Sequence, residues 1–393
     1  MLKETPRLLP APSRSFFLFG PRGIGKSTWL RHKFPRAATF DLLDQRLFFE
    51  LSRDPRRLEA LIAAQKSDLW IVLDEIQKIP ALLEEVHRLL DKGGHRFALC
   101  GSSARKLRRG GADLLAGRAL TLNLEAFSYG ELRKAFDIKR AIAFGTLPQV
   151  VHEPLQAKGI LYAYVNTYVR EEIKEEGLVR NVAPFLRFLQ VAGMLNGQTV
   201  NASNISREAA VPRASVDQYF SILVDTLLGH FLPAYQPAIK VRERAHPKFY
   251  WFDPGVARAA AGLLDETPDR LWQGWALETL IFHELRTYFE ARQIHPKIAY
   301  YQTSQGSEID FIVETHRRRP DRPARVVCFE VKLAERWDRS WDRPMRELAQ
   351  SGGIKVDRLI GIYMGTHRYH FDRVDVFPVH EFLEELHAGK IIH

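Results

Sequence analysis

Short apolar runs alternate with helically spaced segments along the start of the chain, the pattern of an α/β domain. Ser15 to Gly20 (SFFLFG) is an apolar run ending in glycine, and the residues after it open a helical pattern. A strand, a loop and a helix are predicted there. Leu69 to Leu73 and Phe97 to Cys100 read as two further buried strands. From about Leu147 to Gly177, apolar residues spaced by three and four lead into the charged end of YAYVNTYVREEIKEEG, which predicts a helical lid or connector. Pro184 to Tyr250 then offers FLRFLQVAG, NASNISREAAV, PRASVDQYFSILVDTLL and strands at Phe231 to Tyr235 and Lys248 to Phe252. Three helices and a β-hairpin predict a winged helix.

After about Leu271 the pattern changes again. GWALETLIFHELRTYFEARQ is an amphipathic helix, followed by strand-like runs at Ile298 to Thr303, Glu308 to Val313 and Arg325 to Lys332. A helix near Pro344 to Gln350 and a strand at Arg358 to Met364 complete an αβββαβ succession.

The length of 393 residues implies two or three domains. The shifts of pattern set them at 1–150, 151–255 and 256–393. With 46% hydrophobic and 26% charged residues, the composition excludes a disordered or fibrous chain. The leader MLKETPRLLP lacks a signal peptide's apolar run, and no stretch nears the roughly 18 apolar residues of a membrane span. A cytoplasmic protein without a membrane partner is expected. The two cysteines, Cys100 and Cys328, each lie within an apolar run, so buried thiols are expected rather than a disulfide. A net charge of +10 and a pI near 9.5 point to a polyanionic partner, because clustered Lys and Arg bind phosphates while releasing counterions.

The candidate chemistry begins at GPRGIGKS, Gly20 to Ser27. In a strand–loop–helix context, Gly20, Gly23 and Gly25 let backbone N–H groups close around a β-phosphate where side chains would collide. Lys26 would reach the β- and γ-phosphates and Ser27 would ligate magnesium, with Thr28 beside it in the ATP cradle. In LWIVLDEI, Asp74 and Glu75 emerge from the end of a buried strand. Asp74 would hold the magnesium through its water shell and Glu75 would polarise the attacking water. After the third strand, FALCGSSA offers Ser102 as a polar sensor of the γ-phosphate or the water, or as the N-cap of an ARKL helix. Arg118, in LLAGRAL, is a candidate arginine finger from the same chain or a neighbouring subunit, and otherwise a surface arginine.

GPRGIGKST, VLDEIQ, LCGSSA, LLAGRAL and YVNTYVREEI together resemble the prokaryotic AAA-type ATPases that carry a C-terminal domain of unknown function. The likeness runs in order along nearly the whole chain. In that family GSSA follows the sensor strand and LAGR precedes a strand, which supports Ser102 and Arg118 in their roles. The resemblance implies an ATPase and leaves the client open; a homo-oligomer is expected.

In the winged-helix segment, the helix from Ala214 to Leu223 would turn Val216, Tyr219, Phe220 and Leu223 inward. Arg213, Ser215 and Gln218 would then face a DNA groove. Alternatively the unit simply packs on the nucleotide domain. In the C-terminal segment, Asp310 in SEIDFIV leaves Ile309 and Phe311 on the opposite face. Glu330 and Lys332 in CFEVKL share one face, with Phe329 and Val331 turned to the core. With Glu278 from the preceding helix, these residues can converge. The set is similar to the acidic, acidic-x-lysine constellation of the PD-(D/E)xK, restriction-endonuclease-like nucleases, although Ser307, Glu308 and Ile309 stand where that signature often has proline. The resemblance implies magnesium or manganese on Glu278, Asp310 and Glu330, with Lys332 orienting the nucleophilic water. Arg317, Arg318, Arg319, Arg322 and Arg325 lie in the loop between the two strands, as a nucleic-acid grip beside that site or as a solvated tip. No paired-histidine zinc spacing, G-x-S-x-G elbow or internal repeat occurs.

The expectation is therefore an α/β ATPase with a winged-helix middle and a nuclease-like end, acting on nucleic acid, most readily DNA. The rival is a non-cleaving nucleotide switch whose last domain is a binding platform.

Overall fold

The structure is a computed structural model, and it describes residues 5–65, 69–102, 115–169, 182–236, 246–303, 306–351 and 353–392. Its first part is built on a five-stranded sheet of β1 (Phe16–Phe19), β2 (Ala38–Asp41), β3 (Trp70–Asp74), β4 (Arg96–Gly101) and β5 (Leu120–Asn123), in the order β2-β3-β4-β1-β5. Every pairing is parallel. A parallel sheet is covered on both faces, which explains why β1 is buried at every position and reads as an unbroken apolar run. The order inserts β4 between the glycine-loop strand β1 and the acidic strand β3. The ends of all three therefore meet along one edge.

The expected connector begins as short helices at Pro148–His152 and Ala157–Ala163 and continues as a π-helix at Tyr164–Val169. The remainder of YVREEIKEEG, from residue 170, lies outside the described residues. The helix Val182–Met194, β6 (Gln198–Thr199), the helices Ala202–Glu208 and Arg213–Asp225, β7 (Gly229–Leu232) and β8 (Lys248–Trp251) follow. The strands form an antiparallel sheet in the order β6-β8-β7. Val216, Tyr219, Phe220 and Leu223 are buried, while Arg213 and Gln218 are exposed and Ser215 is half-buried. The tip between β7 and β8, residues 237–245, falls outside the described set.

The last part carries a 23-residue helix, Arg270–Arg292, started by the Asp269 carboxylate accepting from the Trp272 N–H. Its sheet comprises β9 (Lys297–Gln302), β10 (Glu308–His316), β11 (Arg325–Lys332), β12 (Lys355–Tyr363), β13 (Tyr369–Phe371) and β14 (Val374–Pro378), in the order β13-β14-β12-β11-β10-β9. β9, β10 and β11 are antiparallel, and β12 joins β11 in parallel. The expected αβββαβ order is present, with Arg343–Gln350 as its second helix. The sequence reading left out β13, β14 and the helix Val379–His387.

One buried apolar cluster runs from Phe16 and Leu18 of the first sheet, through Phe188, Phe220 and Trp251, to Phe311 and Phe329 of the last. The three parts thus share a core. No described helix is long and apolar enough to cross a membrane.

Candidate functional site: a glycine loop and a carboxylate–lysine cluster

Gly20 leaves β1 so close to the backbone after β5 that a Cβ there would lie 2.3 Å from the Leu124 carbonyl oxygen. Gly23 and Gly25 have φ of 78° and 90°, the left-handed region that glycine enters without strain. Gly25 is also the N-cap of the helix Lys26–Lys33, so the loop ends where unpaired N–H groups and the helix dipole favour an anion. Lys26 is buried and donates to the carbonyls of Gly20 at 2.8 Å and Pro21 at 3.0 Å. Both acceptors are neutral, and among the described residues no carboxylate forms an ion pair with Lys26.

The Ser27 hydroxyl donates to Asp74 Oδ2 at 2.7 Å, and Asp74 Oδ1 accepts from the Glu75 N–H at 3.0 Å. Two hard oxygens from separate elements therefore meet beside the loop, the donor chemistry magnesium requires. Glu75 has a φ of 58°, which takes it off the line of β3. Ser102 is buried at the end of β4. Gln77, missed by the sequence reading, donates to both Glu75 Oε2 and Ser102 Oγ. Burial, reinforced by Asp74, pushes the Cys100 thiol well above its ordinary range and keeps it inert. The expected ARKL helix falls within residues 103–114, which lie outside the described residues.

Arg118 does not join this group. It precedes β5, whose Leu120 sits opposite Phe16 at the start of β1, so about 20 Å of strand separates it from the loop. It is exposed and pairs with Asp91 at 2.9 Å. Within the chain, Arg118 thus stands apart from the loop.

A cavity of about 440 Å³ adjoins the loop, lined by Gly25, Thr28, Trp29, Arg7, Phe127 and His152 among others. The Arg7 guanidinium lies over the Phe127 ring at 4.7 Å. From the connector, the Tyr164 hydroxyl donates to the Arg22 carbonyl at 3.0 Å, which sets this segment against the loop. No local signal marks these residues, because the cavity is assembled from the N-terminal stretch, the loop helix and the segment after β5.

The C-terminal candidates also converge, but with different partners. Asp310 and Glu330 are buried just beyond the Phe311–Phe329 pair of β10 and β11, and Asp310 Oδ2 accepts from the Val331 N–H at 2.7 Å. The alternation expected around Asp310 fails. The register between β9 and β10 shifts between Ile309 and Ile312, so Ile309 joins one apolar cluster and Phe311 another. A bulge of this kind re-aims the side chain it carries. Lys332 contacts Glu330 Oε1 and lies 3.8 Å from Asp310 Oδ2.

Glu278 accepts from the Tyr250 hydroxyl at 2.9 Å and lies 3.6 Å from Lys248, which also pairs with Glu308. Lys248 and Tyr250 come from β8, in the middle part, so local sequence could not assign them here. Burial, then the Asp310 charge, lifts the Glu278 carboxyl to about 7, and the same causes push Glu330 well above the carboxylate range. Burial opposes the charge of Lys332, but Asp310 and Glu330 outweigh it and raise its pKa. Lys248 is raised likewise, its burial outweighed by Tyr250, Glu278, Asp310 and Glu308.

Glu278, Asp310 and Glu330 thus lie close enough for their charges to act on one another. Among the described residues no three His, Cys, Asp or Glu side chains come together to hold a metal ion. Two lysine side chains, Lys332 and Lys248, lie against these carboxylates. The arginine hairpin is also not beside the cluster. Asp310 lies six residues from His316 at the strand end, so about 20 Å separates the cluster from the tip. Arg317, Arg319 and Arg322 are exposed there, while Arg325 is paired with Asp357 at 2.8 Å.

The long helix links the two sites. Its Glu290 accepts from the Asn123 N–H at 2.6 Å, Arg286 pairs with Glu125 at 2.5 Å, His283 contacts the Phe127 carbonyl at 3.1 Å, and Glu284 accepts from the Tyr129 N–H at 2.7 Å. The clamped segment includes Leu124, whose N–H donates to the Phe19 carbonyl and whose own carbonyl abuts Gly20.

Residues 12–133 match the family model of the AAA domain. The N-terminal part is thus similar to an AAA domain. Residues 135–267 match a domain of unknown function (DUF8612), and residues 273–382 match another (DUF4143). No curated protein matches the chain. Among solved structures, the ORC1 protein of Aeropyrum pernix in complex with DNA is 13% identical, covering 68% of this chain and 87% of that one at a TM-score of 0.31. A signal transduction ATPase with numerous domains (STAND) and a tetratricopeptide repeat sensor, from Pyrococcus horikoshii, is 13% identical, covering 74% and 49% at a TM-score of 0.24. At these scores neither likeness carries an argument.

Proposed function

We propose that the chain is an ATP-hydrolysing switch of the AAA type, acting on nucleic acid, in which the nucleotide state is passed to the C-terminal part through the helix Arg270–Arg292. The observation that carries this reading is the Lys26 ammonium held, among the described residues, on two carbonyls beside the Ser27–Asp74 pair. A phosphate can take Lys26 from its neutral acceptors with gain, because it supplies the missing negative charge. Ser27 and Asp74 would hold magnesium, whose chemistry there is neutralisation of the phosphate oxygens. Gly20, Gly23 and Gly25 keep the loop open for those phosphates. Glu75 polarises the attacking water, Ser102 reports on it, and the cavity along Thr28 and Phe127 accommodates the nucleoside. Hydrolysis then loosens the loop, and Leu124 relays the change to the clamped segment. Arg118 acts, if anywhere, across a homo-oligomeric interface.

The division at 1–150, 151–255 and 256–393 fits this reading. For the middle part, the helix–strand–helix–helix–strand–strand order and the exposed Arg213 and Gln218 support a winged-helix unit that contacts DNA. The decisive experiment is phosphate release by the pure chain with ATP and magnesium, with and without duplex DNA. Hydrolysis that DNA alters is the expected result. Hydrolysis indifferent to every nucleic acid leaves the ATPase and removes the DNA client.

A second reading, cleavage of nucleic acid at Asp310, Glu330 and Lys332, is favoured by one observation. Glu330 Oε2 is buried with no protein hydrogen-bond partner. Incubation with linear, branched and single-stranded DNA plus magnesium or manganese, with and without ATP, tests it. Product formation that Asp310→Ala abolishes would establish it, and intact substrates under every condition would end it.

A further inference from the structure

We infer that Gln77 is a positioning residue for ATP hydrolysis, tying the Glu75 carboxylate to Ser102 so that the two move as one unit. The inference rests on the ATPase reading above and adds a residue to it.

Gln77 lies two positions after Glu75, in the tight turn Ile76–Lys78, and is buried. Burying a carboxamide is unfavourable unless its polar atoms are used, so a turn that needed only packing would be served better by an apolar side chain. Here the amide nitrogen is used twice. It donates to Glu75 Oε2, and it lies 3.1 Å from Ser102 Oγ, just past the end of β4 and 25 residues away. The orientation of the amide follows from its partner. A carboxylate only accepts, so nitrogen must face Glu75 and the second amide hydrogen is directed to the serine oxygen.

A second feature of the backbone is matched to this arrangement. Gly101, the last residue of β4, lies so close that a Cβ there would sit 2.5 Å from Gln77 Oε1. A side chain at 101 would displace the carboxamide from both partners. Oε1 itself is buried without a protein hydrogen-bond partner, so the amide is not placed for its oxygen. Its two hydrogens account for its position. One amide thus spans β3 and β4 at the edge where their ends meet, and a shift of Ser102 on sensing phosphate must move the Glu75 carboxylate with it. A misplacement of about 1 Å at such a group can cost on the order of 100-fold in rate.

The test uses the full chain with Gln77→Met, which keeps an unbranched side chain of similar length and removes the amide. The expected result is a fall in kcat of on the order of 10–100-fold, with ATP affinity and the melting temperature close to wild type. A purely structural residue would move the melting temperature or the affinity instead. Ser102→Ala and the double variant complete a cycle. If Gln77 acts through Ser102, the double variant loses little more than the worse single one, whereas independent roles multiply. Should Gln77→Met fail to fold, Gln77→Glu keeps the size and sets a second carboxylate against Glu75, and it is expected to lose turnover while still binding ATP. Wild-type kcat in a folded Gln77→Met, with Glu75→Gln inactive, overturns the inference alone. An inactive wild type removes the ATPase reading and the inference with it.

Discussion

Both candidate sites bring a lysine and carboxylates to strand ends, yet they differ in what each lysine touches. Lys26 rests on two neutral carbonyls, and the carboxylate of its site, Asp74, is bonded to a serine and a backbone N–H. Lys332 and Lys248 rest on Glu330, Asp310, Glu278 and Glu308. The first arrangement leaves its cation ready for an incoming anion. The second neutralises itself. The same residue types thus set a cation on neutral acceptors in one place and pair cations with carboxylates in the other, and composition alone would not separate them.

The largest effect is expected from Lys26→Ala. It removes two charge-assisted contacts to phosphate, each worth about 1.5–3 kcal/mol, so ATP affinity should fall by about 10²–10⁴-fold while the fold persists. Unchanged affinity in a binding titration would erase the distinction. Glu75→Gln should keep ATP affinity and lower turnover by about 100-fold or more, since shape is retained and the base is lost. Normal hydrolysis in that variant would move the base elsewhere.

The other side of the comparison is probed through stability. Lys248→Met strands Glu278 and Glu308 without their cation, and breaking a buried pair in this way costs about 3–5 kcal/mol. A clearly lower urea midpoint is expected, partly restored by adding Glu278→Gln. An unchanged midpoint would show that the pairing is not structural. A smaller effect follows from Glu278, whose folded pKa of about 7 lies above the ordinary 4.5. The folded state keeps this proton as pH rises from 4.5 to 7 while the unfolded chain releases it, so this group's contribution falls through that window and is lost above 7. Glu278→Gln should flatten the pH dependence of the unfolding free energy between those pH values, by up to about 3 kcal/mol. A wild-type pH profile in the variant would place the titration on another group.

Much of the fold was legible because parallel strands buried on both faces write themselves as apolar runs, as at Phe16–Phe19 and Trp70–Asp74. The loop glycines were legible from their spacing, and Gly23 and Gly25 take up the left-handed backbone region that favours glycine. The rest depends on geometry that a linear pattern does not carry. Which end of a sheet Arg118 occupies is decided by the register of β5 on β1. The bulge between Ile309 and Ile312 inserts a shift that strict alternation hides. Lys248 and Tyr250 reach the carboxylates from a separate sheet, and Arg7 reaches the loop cavity from the N-terminal stretch. Gln77 stood in plain view in VLDEIQ, but its meaning required Ser102 to be its neighbour.

The most direct test of the contrast between the two sites is the binding of manganese to the full chain, followed by electron paramagnetic resonance, with and without ATP. If Lys332 and Lys248 neutralise the C-terminal carboxylates, tight manganese binding should appear only with ATP and vanish in Lys26→Ala. Tight binding without nucleotide that disappears in Asp310→Ala would contradict this account and restore the metal site to Glu278, Asp310 and Glu330.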